Sequence, residues 1–144
     1  MQEREQLLEK IQELIEENEG DLPFVSLDDF FVGNNDEASI APDQVDDGRP
    51  TLAEMYKQLK WIEGRPNVYS VLVSIHEDWE MSLNNREVWP AADTIHIYAM
   101  APLSDAEKWV EALHCRIYEG WIYGMPLAAP SVPPGYNVYT LYWD

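Results

Sequence analysis

Three segments of the chain read as β-strands, and their alternation collects hydroxyls, phenols and imidazoles on one side. In residues 67–78, NVYSVLVSIHED, period-two spacing sets Ser70, Ser74 and His76 opposite Tyr69, Val71, Val73 and Ile75. In residues 93–101, DTIHIYAMA, Thr94, His96 and Tyr98 share a face opposite Ile95, Ile97 and Ala99. In the closing segment YNVYTLYWD, Thr140 and Tyr142 alternate with Tyr139 and Leu141. An imidazole exchanges protons near neutral pH, and hydroxyls both donate and accept. With Trp121 and Tyr123 from the Pro/Gly-rich loop 119–135, the residues His76, His96 and Tyr98 could line a small-ligand or enzymatic pocket. The plainer reading is that this face meets water, as antiparallel sheets commonly allow, and the pattern favours it.

Covalent or metal catalysis has little support. No G-x-S-x-G, P-loop or G-x-G-x-x-G occurs, and there is no HExxH or CxxC. Cys115 follows His114, but neighbours on a helix diverge by about 100°, so the two do not pair and an inert thiol is expected. His76, Glu77 and Asp78 likewise diverge along a strand. From Asp28 the chain reads DDFFVGNNDEAS, with Gly33 at the sixth place of an EF-hand loop. Phe30 and Val32 occupy places that need oxygen ligands, so no metal site and no cofactor is expected.

The other chemistry is charge. Residues 21–48, DLPFVSLDDFFVGNNDEASIAPDQVDDG, hold eight carboxylates and no Lys or Arg, in a chain of formal net charge −18. Such a field repels phosphates, which argues against nucleic acid and anionic membranes, and it attracts basic proteins. Asp28, Asp29, Asp36, Glu37, Asp43, Asp46 and Asp47 would then form a partner-binding surface, anchored by Phe24, Phe30 and Phe31. Crowding predicts raised carboxyl pKa values within it. Trp61 joins these candidates, because it lies opposite the stripe of Leu52, Met55, Tyr56, Leu59 and Ile62 on its helix. An exposed Trp there also leaves a homo-oligomer open.

The elements that would position these groups follow from periodicity and punctuation. Leu7, Leu8, Ile11, Leu14 and Ile15 predict a helix over 3–18 that stops at Gly20. Residues 22–31 read as an extended piece entering a helical turn capped by Ser26, and Ser39-Ile40-Ala41 as a short strand. Thr51 and Glu54 form a capping box for a helix to Glu63. Ser104 and Glu107 suggest a second box, for a helix to His114, and residues 119–135 read as loop throughout. The expected fold is α+β, with a small, mainly antiparallel sheet of three or four strands and helices packed on one face.

A length of 144 residues predicts one domain, 1–144, with enough chain for an ordinary core. One cysteine forbids an internal disulfide, no secretory signal opens the chain, and no run approaches a membrane span. A cytoplasmic protein is expected.

The pattern LPFVSLDDFFVGN, then RP, a helix, VLVSI, WPAADTI, EGW and a final YWD resembles a family of small acidic bacterial proteins described as hypothetical. That resemblance implies no catalytic residues. In size, charge and α+β pattern the chain is also similar in type to immunity proteins that neutralise bacterial toxins. The leading expectation is thus an acidic protein-binding module, an immunity protein or inhibitor engaging a basic partner. The alternatives are the pocket between the polar sheet face and the 119–135 loop, or a hypothetical protein with no assignable activity.

Overall fold

The computed structural model describes residues 2–144. Helix α1 (Gln2–Glu17) turns Leu7, Leu8 and Ile11 inward and leaves its many glutamates to solvent. Left-handed Glu19 and Gly20 end it, and the Gly20 amide bonds back to the Ile15 carbonyl. Strand β1 (Phe24–Ser26) runs into α2 (Leu27–Phe31), where the Ser26 hydroxyl accepts from the Asp29 amide. Gly33 follows at φ +82°, and a Cβ there would stand 3.0 Å from the Glu3 Cβ, so glycine lets α1 approach this turn.

Residues 37–39 form a 3₁₀ turn, not the expected strand. Arg49 explains it. This guanidinium is buried, and it donates to the carbonyls of Glu37 and Ile40, to the Glu37 carboxylate and to the Pro50 carbonyl. Two of the segment's carbonyls, those of Glu37 and Ile40, are therefore satisfied by one side chain rather than by a neighbouring strand.

Helix α3 (Leu52–Glu63) starts at the predicted capping box, with Thr51 and Glu54 reciprocally bonded. It packs on β2 (Val68–Ile75). Strand β3 (Ala92–Ala99) returns antiparallel. Between them, Glu77–Leu83 winds as 3₁₀ helix, held from a distance by buried Arg4 of α1. Arg4 donates to the carbonyls of Ser82, Asn85 and Val88.

Helix α4 (Leu103–Trp109) is shorter than expected and opens at Pro102 with no side-chain cap, so the Ser104–Glu107 box does not form. The chain tightens into 3₁₀ over Glu111–Leu113, and left-handed His114 redirects it. This frees β4 (Arg116–Glu119), an edge strand in residues for which the sequence predicts no element, save Glu119 at the start of the expected loop. Strand β5 (Asn137–Tyr142) then enters between β3 and β4.

The fold is α+β. Its sheet has five strands in the order β1-β2-β3-β5-β4, all neighbours antiparallel, against the three or four expected. The register pairs Val71 with Ile97, Val73 with Ile95, Ile95 with Leu141 and Ile97 with Tyr139. These side chains join Ile11, Leu27, Phe30, Ile40, Met55, Leu59 and Ile62 in the core. Among the described residues no helix is long and apolar enough to cross a membrane.

Candidate functional site

The opposite sheet face is not the solvated surface expected from its polarity. His96, Tyr98, Val138 and Thr140 on it are buried, His96 at 5% and Tyr98 at 0% exposure. The loop after β4 folds back over them as a flap. Gly120 begins it at φ +103°, open to glycine at little cost, and its amide bonds to the Val138 carbonyl. Three side-chain bonds then pin it. Thr140 donates to the Gly120 carbonyl at 2.7 Å, Tyr98 donates to the Pro130 carbonyl at 2.6 Å, and the Ala128 amide donates to Asp21 at 2.9 Å.

Trp121, half-buried, is the flap's inner anchor. Its ring lies 4.8 Å from His96, 5.9 Å from Phe24 and 6.1 Å from Tyr98, the last two edge-on. Phe24 reaches this face because β1 pairs Phe24 with Ser74. Antiparallel partners point the same way, so an edge strand contributes an aromatic wall. The sequence alone makes Phe24 an anchor of the acidic segment. Its period-two phase against Val25 was the available signal, but which strand it would join was not.

Between this floor and the flap lies a cleft of about 220 Å³. Its floor carries His96, Thr140, Ser74 and Thr94, and its walls include Leu22, Phe24 and Pro126. The exposed lining residues Asp93, Ile122 and Tyr123 mark the mouth, with half-buried Asp21 beside them.

The floor is one ordered hydrogen-bond chain. The Thr140 hydroxyl spends its proton on the Gly120 carbonyl. It therefore accepts from His96 Nδ1, 3.0 Å away, which fixes the proton on that nitrogen. His96 Nε2 is left as an acceptor for the Thr94 hydroxyl at 2.9 Å. Thr94 in turn lies 2.8 Å from Ser74 Oγ and accepts from it. Burial holds the His96 pKa down at about 4, so the ring is neutral near pH 7. Burial likewise pushes the Tyr98 phenol up to about 12. Among the described residues no carboxylate bonds the imidazole, and Ser74 reaches Thr94 rather than the ring. The arrangement presents fixed hydrogen-bonding groups.

Of the expected pocket set, His96, Tyr98, Trp121 and Tyr123 converge here. Tyr98 and Trp121 form the support, while Tyr123 stands 99% exposed at the mouth. His76 does not join them. β2 ends at Ile75, and His76 caps the following 3₁₀ helix by accepting from the Asp78 amide at Nδ1. It lines a separate hollow with Asp36, Asp78 and Trp89. Asp21 and Asp93, which the sequence does not single out, sit at the mouth; nothing local distinguishes them from the chain's other carboxylates.

The acidic candidates divide. Asp28 accepts from the Tyr56 hydroxyl at 2.7 Å and faces Lys60 at 3.4 Å. These contacts, the phenol first, hold its carboxyl below the ordinary range, opposite to the rise expected from crowding. Asp29 pairs with Lys10 at 2.6 Å. Asp36 accepts from the amides of Ala38 and Trp89, and Glu37 from Arg49 and the Leu52 amide. Asp43, Asp46 and Asp47 are exposed and have no side-chain partner among the described residues. Trp61 is 53% exposed, as its phase on α3 predicted, with the Arg65 guanidinium 5.0 Å from its ring. Arg65 also lies 4.8 Å from Trp109. Cys115 is half-buried and burial raises its pKa to about 12, so it stays a thiol. Among the described residues no group of three or more His, Cys, Asp or Glu could hold a metal ion.

This combination of an acidic N-terminal half and a flap-covered sheet extends over a length that a single family model describes: the Uncharacterized protein YfbO family matches residues 2–141. The chain belongs to the YfbO family. A relative in Escherichia coli (strain K12), Uncharacterized protein YfbO, is 29% identical over 146 residues, covering 95% of this chain and 98% of its own. No solved structure matches. The resemblance to an uncharacterised bacterial family thereby becomes specific to YfbO.

Proposed function

We propose that this YfbO-family protein binds a small molecule in the cleft between the polar sheet face and the 120–135 flap. The observation that carries this is the floor itself. Four polar side chains, Ser74, Thr94, His96 and Thr140, line one cleft in a single hydrogen-bonded order, beside the apolar surfaces of Leu22, Phe24 and Ile122. Ligand sites combine an apolar lining with a few fixed polar groups in this way. The volume equals about seven waters at ~30 Å³ each, so the ligand is small. The supports are preorganised, because the flap is bonded at Gly120, Ala128 and Pro130.

The test is a ligand-observed NMR screen of small fragments against the wild type and Ser74→Leu, with circular dichroism to confirm folding. Fragments that bind the wild type and are lost in Ser74→Leu support the reading. Fragments that bind both alike place the site elsewhere.

A second reading keeps the acidic surface as a docking site for a basic protein, in the manner of an immunity protein or inhibitor. It is supported by Asp43, Asp46 and Asp47, which are exposed and not engaged by internal partners among the described residues. Capture of a basic partner that disappears when all three become Asn would favour it over the cleft.

A further inference from the structure

The cleft is polar at its floor, apolar along its walls and negative at its mouth. Asp21 and Asp93 both line it, and neither Lys nor Arg does. Asp21 uses Oδ2 for the Ala128 amide, and its other oxygen has no hydrogen-bond partner among the described residues. Asp93 is exposed and has no side-chain partner among the described residues. The floor adds no positive charge to balance them, because the ring of His96 is neutral and hydrogen-bonded at both nitrogens.

Each ligand class meets this set differently. An anion would face two carboxylates with no basic side chain in the lining, inside a chain of net charge −18. Like charge of that kind repels at encounter and costs free energy on binding. A neutral polar molecule could use the floor but would gain nothing from the mouth. A small organic cation uses both. Its ammonium would sit between Asp21 and Asp93, and its hydrocarbon body would lie against Phe24, Leu22 and Ile122. Tyr123, at the same mouth, offers a ring face to a cation.

We infer that the cleft selects small organic ammonium compounds, with Asp21 and Asp93 as the charge-recognising pair and the Phe24 wall as the apolar seat. This rests on the small-ligand reading of the cleft above. The size of the cavity admits a body of about eight non-hydrogen atoms, on the order of its seven-water volume. A longer chain would have to pass out beyond Tyr123.

Three probes of one shape separate the alternatives: benzylamine, benzyl alcohol and benzoate. Each is titrated into ¹⁵N-labelled full-length protein at low ionic strength, and amide shifts locate the site. Benzylamine is expected to shift residues of the cleft, Phe24, Ser74, Thr94 and Ile122 among them, and to bind about tenfold tighter than benzyl alcohol, a preference worth about 1.4 kcal/mol. Benzoate is expected to be the weakest. Asp93→Asn, a change at an exposed position, is expected to reduce the benzylamine preference at least threefold and leave the benzyl alcohol affinity alone. If benzyl alcohol binds in the cleft as tightly as benzylamine, the cation selectivity is wrong and the ligand pocket stands. If benzylamine shifts only acidic residues outside the cleft, the charge is acting as a general counter-ion surface and the inference falls. If no probe shifts the cleft at millimolar concentration, both the inference and the pocket are wrong.

Discussion

The indole of Trp121 lies over the imidazole of His96, ring centroids 4.8 Å apart and planes inclined at 39°. One residue comes from a glycine-bracketed loop and the other from the middle of a central strand. Their contact seals a polar sheet face that would otherwise meet water, and it makes the titration of His96 a measure of whether the flap is closed.

The pH dependence follows from that burial. The His96 pKa is near 4 in the fold against 6.5 for the free side chain. Between these values the unfolded chain holds the extra proton, so stability contributed by neutral His96 is complete above about pH 6.5 and is lost as pH falls towards 4. The full loss is on the order of 3 kcal/mol. Urea melts from pH 7 to 4 should show it, and His96→Gln should flatten the curve in that window. An unchanged slope in the variant would assign the acid sensitivity to other groups.

Tyr98 reports on the other end of the flap. Its hydroxyl donates to the Pro130 carbonyl from a fully buried ring. Tyr98→Phe keeps the ring and removes one hydrogen bond, which costs about 1 kcal/mol. Hydrogen exchange should quicken across residues 121–135 more than in β2 or β3. Uniform acceleration throughout the protein would show that the bond supports the sheet rather than the flap.

Arg49 organises the acidic segment from within. Its guanidinium is buried and bonded to residues 37, 40 and 50. Arg49→Ala should cost about 3 kcal/mol, since it strands several acceptors at once. Asp43→Asn and Asp47→Asn, at exposed positions, should each change stability by less than about 0.5 kcal/mol. Denaturant midpoints decide the matter, and a cost for Asp47→Asn comparable to that of Arg49→Ala would mean these carboxylates are also structural.

The two kinds of tryptophan should separate cleanly. Trp61 is 53% exposed, whereas Trp89 is 2% exposed. Trp61→Ala should cost about 1 kcal/mol or less in thermal or urea melts, whereas Trp89→Ala should cost about 3–5 kcal/mol. Sedimentation of Trp61→Ala then tests self-association apart from stability. A large stability loss with unchanged monomeric mass would remove Trp61 as an interface residue.

What could be read from the sequence was what local physics controls. The stripe Leu7, Leu8 and Ile11 specified α1, because helical period and burial coincide there. Thr51 and Glu54 specified the start of α3, since a capping box is complete within four residues. Alternation in 68–75 and 92–99 sorted Val71, Val73, Ile95 and Ile97 into the core, because a strand has only two sides. The exposure of Trp61 followed from the same arithmetic on a helix. Tertiary structure decided everything that depended on a distant partner. The 3₁₀ turn at 37–39 is held by Arg49, which satisfies the Glu37 and Ile40 carbonyls from ten residues or so away. Edge strand β4 exists because β5 leaves it a free edge, and pairing energy lies in the partner rather than in the segment RIYE. The carboxylates looked alike in sequence; Tyr56, Lys10, Trp89 and Arg49 divided them. The polar face became a cleft floor because Trp121 and Phe24 meet over His96 from opposite edges of the sheet, a contact across nearly a hundred residues that no local pattern encodes.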